Sequence, residues 1–373
     1  MKPFIIIGAG ILGASTAYHL AKNGVRVLLI DREDKGQATD AAAGIVCPWI
    51  SQRRNKAWYE LAKNGARYYS SLIPELEKDG EKETGYKRVG AISLHTDSNK
   101  LDKMEERAHK RREDAPEIGE IRRLSEVETQ DLFPYLDKTF ASVHISGAAR
   151  VNGRALRDAL VRGAEKHGAE VLRGDARLEI ESGKVIGVTV NGTTLLGEKV
   201  IVTAGAWAKE LLNPLGIEFL VEAQKAQIVH LHFDEHETSN LPVVMPPNDQ
   251  YIVAFNEGRI VIGATHENDK GFDKRVTVGG LHEVIDKALG IAPGLEEATV
   301  LETRVGFRPF TPGFLPVIGP IPNNEEVLLA NGLGASGLTV GPYLGFQLAK
   351  LALGQPLDID LELYPVSGAI PGA

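Results

Sequence analysis

Four glycine-bearing segments carry the residues whose spacing could do chemistry. The first, Gly8-Ala9-Gly10-Ile11-Leu12-Gly13, fits G-x-G-x-x-G. In that pattern the first glycine makes a tight turn and the second lets backbone N–H groups approach a pyrophosphate. The third lets helix and strand pack closely. Asp31 follows 18 residues past Gly13, at the end of the next apolar run, where an acid receives ribose hydroxyls. The motif alone is weak, so its setting has to decide. Phe4 to Ile7 is an apolar run without polar alternation, as in a strand buried on both faces. Ile11, Ala14, Ala17, Tyr18 and Ala21 recur at helical spacing, Asn23-Gly24 stops that helix, and Val25 to Ile30 is a second buried strand. A βαβ unit therefore opens the chain with the loop at its helix N-terminus, and the reading is a bound dinucleotide.

Three further segments separate FAD from NAD. Thr39-Asp40-Ala41-Ala42-Ala43-Gly44-Ile45 is a run of small residues that lets backbone lie close to a flat ring system. Val200 to Ala204 is a buried strand closing in Gly205-Ala206-Trp207, and Gly332-Leu333-Gly334-Ala335-Ser336-Gly337-Leu338-Thr339 leads into a C-terminal helix over Pro342 to Leu353.

The elements that must hold these clusters follow from periodicity. The region 57–113 reads as helical and charged, with Asp102 to Asp114 a solvated helix face. Val151 to His167 is an amphipathic helix, followed by short strands with hairpin signals at Ser182-Gly183 and Asn191-Gly192. Gln227 to Phe233, Tyr251 to Phe255 and Arg259 to Gly263 alternate as antiparallel strands, and Gly280 to Leu289 returns to helix. The predicted fold is α/β: a Rossmann-type domain interrupted by a mixed, largely antiparallel β-sheet domain with helices. Residues 1–50, 146–218 and 300–373 form the cofactor domain, and 51–145 with 219–299 the substrate domain.

Composition narrows the classes. The 373 residues carry a net charge of −8, which argues against nucleic acid or an anionic membrane as partner. Cys47 is the sole cysteine, so an intrachain disulfide and a cysteine zinc site are excluded. Glycine is in excess, at 40 residues where an average share would give about 26, in keeping with backbone packed close to something. The stretches Pro3–Ala21 and Val327–Ala349 are uncharged and long, but their glycines make them strand, loop and helix rather than membrane spans. The expectation is a cytoplasmic protein with no transmembrane segment. His230, His232 and His236 with Asp234 and Glu235 read as an exposed sheet edge, and no metal is expected.

These clusters, in this order and joined by Gly306-Phe307-Arg308-Pro309-Phe310-Thr311-Pro312, resemble the FAD-dependent D-amino acid oxidase superfamily, in the branch with glycine oxidase, sarcosine oxidase and D-amino acid dehydrogenase. The resemblance runs from residue 4 to about residue 355. It implies a glutathione-reductase-type FAD fold. It also implies that Gly8, Gly10, Ile11, Leu12 and Gly13 hold the pyrophosphate, Asp31 and Arg32 the adenosine ribose, and Arg177 the adenine through its backbone. Thr39, Ala43, Gly44 and Ile45 would line the flavin, Ala204, Gly205 and Trp207 the adenine side, and Leu333, Gly334, Ala335, Ser336, Gly337, Leu338 and Thr339 the isoalloxazine. Arg308 would clamp a substrate carboxylate, as a planar, permanently charged fork can, and Tyr251 would orient the substrate. Trp49 either walls the pocket or packs in the core, and Lys225 and Gln227 open a strand that could border it.

The implied reaction oxidises the C–N bond of a D-amino acid, glycine or N-alkyl glycine by hydride transfer to flavin N5. The imino acid then hydrolyses to a 2-oxo acid and amine or ammonia. Oxygen, or a quinone or other carrier, would take the electrons; with a quinone the protein would sit peripherally at a membrane. A flavin dehydrogenase of a 2-hydroxy acid, or an FAD-binding subunit of a hetero-oligomer, is the alternative, and a homo-oligomer is left open. Departures matter too. Covalent-flavin sarcosine oxidases carry a cysteine where this chain has Gly306, so non-covalent FAD is expected. Glycine oxidase has an arginine where this chain has Ala335, which leaves room for a larger side chain or a secondary amine. Gly313 stands where the family often has an acid.

Overall fold

Phe4–Ile7 and Val27–Asp31 carry apolar side chains on both faces because both faces of their sheet are covered. They pair in parallel. The sheet continues on one side through Lys199–Val202 to Asn324–Asn331 and on the other to Glu170–Arg173. Val317–Ile321 closes one edge antiparallel. The computed structural model describes residues 2–234 and 237–372. Alternation sorts the first strand: Phe4 and Ile6 face a core shared with the helices, Ile5 and Ile7 one shared with a small antiparallel meander. The helix Ile11–Lys22 packs against Gly153–Lys166 and Gly337–Ala352 on the first face. The meander Arg177–Glu181, Lys184–Val190 and Thr193–Leu196 covers the second. Its turns are Ser182-Gly183 and Asn191-Gly192, with φ of 50°, 79°, 51° and 78°, the primed geometry that hairpins favour.

The second sheet has eight strands, in the spatial order Thr299–Phe310, Glu222–His232, Arg259–Gly263, Tyr251–Ala254, Val243–Met245, Ala91–His95, Ala141–Ile145 and Ile121–Leu124. All neighbours are antiparallel except Val243–Met245 against Ala91–His95. The helix Val278–Leu289 packs on it through Val284 and Ala288. Mixed α/β architecture with one largely parallel and one largely antiparallel sheet matches the expected fold.

Three details differ. The region 57–113 is two helices, Lys56–Lys78 and Ser98–Arg112, separated by Lys87–Arg88 and Ala91–His95. Ala91–His95 lies inside the second sheet with nearly every side chain buried, so it shows no helical or alternating pattern to betray it. The strand Thr299–Phe310 belongs to the second sheet rather than to a cofactor unit beginning at residue 300. The helix Lys56–Lys78 packs on Gly337–Ala352, so closely that a Cβ on Gly65 would lie 2.3 Å from the Thr339 carbonyl oxygen. Finally, the C-terminal helix starts at Gly337 and runs through Pro342. Proline leaves the carbonyl four residues earlier without its helical donor. That carbonyl, on Leu338, accepts instead from the Tyr69 hydroxyl at 2.5 Å.

Candidate active site

The glycine loop is held from three sides. Thr203 Oγ1 donates toward the carbonyls of Ile7 (3.1 Å) and Gly8 (2.8 Å), and the Ile11 N–H donates to Thr39 Oγ1 at 3.0 Å. Asp31 accepts from the Ala9 N–H at 2.6 Å, the Glu33 N–H at 2.5 Å and Gln37 Nε2 at 2.9 Å. The three glycines are not equivalent. A Cβ on Gly8, which has φ +104°, would stand 2.6 Å from the Thr203 carbonyl oxygen, and one on Gly13 would stand 1.9 Å from that of Gly8. A Cβ on Gly10 would meet nothing closer than Thr39 Oγ1 at 3.5 Å. Gly10 thus faces open space at a helix start that has no side chain to cap it.

That space belongs to a cleft between the two sheets. Gly8, Gly10, Ile11, Leu12, Asp31, Thr39, Ala43, Gly44, Ile45, Ala204, Gly205 and Trp207 line it, as do Leu333, Gly334, Ala335, Ser336, Gly337, Leu338 and Thr339. Gly332 and Gly334 have φ of +80° and +51°, and a Cβ on either would strike Thr311 or Phe310. The helix Gly337–Ala352 also starts uncapped, because the Ser336 hydroxyl accepts from Trp58 Nε1 at 3.0 Å. An adjoining cleft shares Gly8, Asp31, Gln37, Ala204 and Trp207 and carries Arg32 and Arg177. Together they make one elongated channel. Arg32 is bonded to Asp34 (2.7 Å) and Asp175 (3.0 Å), and the Arg177 side chain stands largely in solvent on the rim.

At the other end the wall turns polar. Arg308 lies directly opposite Gln224 in the strand register, so both side chains share a face. Its Nη1 donates to Gln224 Oε1 at 3.0 Å and to the Thr265 carbonyl at 3.3 Å. Among the described residues it has no carboxylate partner; Glu302 bonds Arg259 and Arg304 instead. Burial draws the Arg308 guanidinium below its usual range, against the neighbouring Tyr251 and Asp249. Burial also raises the Tyr251 hydroxyl, opposed by Arg308. Asp249 and His266 line the same wall.

A family model described as FAD dependent oxidoreductase matches residues 4–351. The chain belongs to that family. It is 65% identical over 371 residues to the uncharacterized oxidoreductase YurR of Bacillus subtilis (strain 168), covering 99% of this chain and 100% of the relative. It is 30% identical over 377 residues to the glycine oxidase of Pseudomonas aeruginosa, covering 98% and 99%. The crystal structure of iminodiacetate oxidase (IdaA) from Chelativorans sp. BNC1 superposes with a TM-score of 0.95 at 47% identity, over 97% of this chain and 98% of that one.

FAD is the cofactor of this FAD-dependent oxidoreductase, and the channel suits it. The open position at Gly10, between two glycines packed hard against backbone, is the place where a diphosphate needs room. Gly13 itself does not line the channel; it makes the close packing. Cys47 does line it, but burial pushes its thiol up to about 12, so it is not a thiolate. Trp49 is 2% exposed and belongs to the core. Lys225 and Gln227 do not reach the cleft. Ala226 between them does, and the alternating strand turns its neighbours toward Asp273 and Glu267 on the other side.

Of the histidine cluster, His230 accepts from Arg259 Nε at 3.0 Å and His232 pairs with Asp234. Glu235 and His236 lie outside the described residues, among which no group could hold a metal. Nor is any described helix long and apolar enough to cross a membrane. Sequence reasoning missed Gln37, Gln224, Asp249 and His266. Asp249 lies in a bend just before the strand Tyr251–Ala254, where no alternation marks it.

Proposed function

We propose that this FAD-dependent oxidoreductase oxidises the C–N bond of a small amino acid, with an N-substituted glycine of the sarcosine or iminodiacetate kind preferred over glycine itself. The observation that carries this reading is Arg308: a partly buried guanidinium on the cofactor cleft, held by Gln224 and Thr265, without a carboxylate of its own. Such a fork suits the carboxylate of a bound amino acid. Tyr251, beside it, supplies a hydroxyl to orient that carboxylate. Ala335 lies exposed in the cleft, with only a methyl where a longer side chain would reach in. The likeness to iminodiacetate oxidase at 47% identity supports a secondary amine over glycine. Bound FAD supplies the two-electron acceptor. The chain's own residues bind and orient the substrate.

The test is anaerobic. Glycine, sarcosine, iminodiacetate, D-alanine, D-proline and L-proline are added in turn to the yellow protein. Bleaching of the flavin band by an N-substituted glycine at lower concentration than glycine is the expected result, lost in Arg308→Ala. Admitting air then separates an oxidase, which regains colour at once, from an enzyme that passes electrons to a carrier. Bleaching by glycolate or lactate but by no amino acid would overturn the assignment.

A further inference from the structure

Beyond the cofactor loops, the cleft wall has four charged or titratable groups near its substrate end: Arg308, Tyr251, Asp249 and His266. Asp249 is already bonded by Lys287 Nζ at 3.0 and 3.3 Å. Burial, the largest single effect, would raise its pKa, but the hydrogen bonds from Lys287 and Gln250 and the charges of Lys287 and His266 together outweigh it and hold the carboxyl below its usual range. His266 Nδ1 stands 3.6 Å from Asp249 Oδ2, beyond ordinary hydrogen-bond length, and the ring has no closer partner among the described residues. It is an unused donor on a functional wall.

Its place is fixed. The Thr265 carbonyl, just before it, accepts from Arg308 Nη1, and the Thr265 N–H donates to Gln227. Just after it, Glu267 exchanges backbone hydrogen bonds with Lys225 at 2.9 and 3.0 Å. Both flanks of His266 are thus tied to the strand Glu222–His232, whose Gln224 also holds Arg308. The two side chains are set in one frame.

We infer that His266 is a second anion-binding group of the site, and that the substrate carries two carboxylates, one on Arg308 and the other on His266. This rests on the reading of Arg308 given above. The charges favour an anion over a cation: Arg308 has no acid partner and Asp249 is answered by Lys287, so a second cationic arm would meet two cations and an occupied carboxylate. Burial chiefly, and then Arg308 and Lys287, lower the His266 pKa, against Asp249 and Glu283. The first carboxylate cancels the charge of Arg308, and the second then gives either a neutral N–H or an imidazolium its partner. Exposed Ala335 leaves room for the longer molecule.

Two ether analogues without an amine isolate the second arm: oxydiacetate has it, methoxyacetate lacks it. Each is titrated into the FAD-loaded protein, followed by the visible flavin band and by calorimetry. The native protein is expected to bind oxydiacetate at least about tenfold tighter, the size of one net charge-assisted hydrogen bond. His266→Leu should narrow that ratio to within about threefold, and His266→Gln, which keeps a donor, should retain part of it. Lowering the pH from 8 to 6 should widen the native ratio and leave the leucine variant flat. A native ratio near one, or a ratio unchanged in His266→Leu, overturns the inference while the clamp stands. Arg308→Ala should weaken both analogues; if it binds both as tightly as the native protein, the clamp reading itself fails.

Discussion

Arg308→Ala separates a functional arginine from a structural one, because the proposed clamp predicts a large effect on turnover and the contacts of Arg308 a small one on stability. Truncating one partner of a buried, hydrogen-bonded charge pair costs about 2–5 kcal/mol. At about 1.4 kcal/mol per decade this is a loss of roughly 30- to 5,000-fold in kcat/KM. Arg308→Lys keeps the charge but loses the planar fork and the geometry that reaches Gln224 and Thr265, so a loss of roughly 10- to 100-fold is expected.

The fold gains little from the same side chain. It contributes hydrogen bonds to Gln224 and Thr265, worth about 1 kcal/mol each, and these are offset by the desolvation that lowers its pKa. At about 2.1 cal/mol/K of unfolding entropy per residue, 1 kcal/mol spread over 373 residues shifts Tm by about 1.3 °C. The alanine variant should therefore melt within about 2 °C of the native protein. The assay is anaerobic stopped-flow reduction of the flavin, with calorimetric scans of the same preparations. Reduction within threefold of native, or activity lost together with a Tm drop of more than about 5 °C, would refute the reasoning and make Arg308 a structural residue.

Four further outcomes follow from named contacts. Gly10→Ala should weaken FAD binding at least about tenfold yet leave the apoprotein Tm within about 2 °C, since its Cβ meets only Thr39 Oγ1 at 3.5 Å. Gly13→Ala, 1.9 Å from the Gly8 carbonyl oxygen, should lower the apoprotein Tm by more than about 4 °C or fail to fold. Tyr69→Phe strips the buried Leu338 carbonyl of its donor; the loss is about 1–3 kcal/mol, read as a fall in Tm of about 1–4 °C. The bond from Arg304 holds Glu302 down to about 2, with Arg259 adding to it. A depressed carboxylate stabilises the fold above its unfolded value and ceases to as pH falls, so Glu302→Gln should flatten the decline of Tm between pH 5 and 2; because Glu302 is partly exposed, the change should be modest.

The half of the site that binds through backbone was legible in the chain, and the half that binds through side chains largely was not. Gly8, Gly10 and Gly13 are readable because their chemistry is the absence of a side chain at fixed spacing, and the apolar strands beside them supply the context. The same holds for the turns at Ser182-Gly183 and Asn191-Gly192, where φ is positive. Arg308 was reached through resemblance, not spacing. Its partner Gln224 lies 84 residues away and meets it because the strand register sets them opposite. Lys225 and Gln227 show how steep this dependence is: a reading one residue out turns the side chains to the opposite face. His266 carries no local signal, since the bonds that fix it run to Arg308, Lys225 and Gln227.

Cofactor and clamp sit on different sheets, so their relative position depends on what joins those sheets. One strand, Thr299–Phe310, does much of this. The Phe307 N–H donates to the Gly36 carbonyl at 2.9 Å, and Gly36 and Phe307 are so close that a Cβ on the glycine would stand 2.4 Å from the ring. A Cβ on Gly306 would stand 2.6 Å from that of Ala41, and Arg304 Nη1 donates to the Asp40 carbonyl at 3.0 Å. Residues 36, 40 and 41 flank the cofactor turn, and residues 304, 306 and 307 lead directly to Arg308. Arg308 is thus one residue removed from a backbone bond to the segment that leads into the cleft-lining turn. A substrate held by Arg308, as proposed, would take its position from a strand tied to the cofactor cleft by main-chain contacts. This is the condition under which holding a carboxylate also places the adjacent C–N bond. It accounts for Gly306 and Pro309 in this strand, which keep the approach close where a side chain or a further ladder bond would open it.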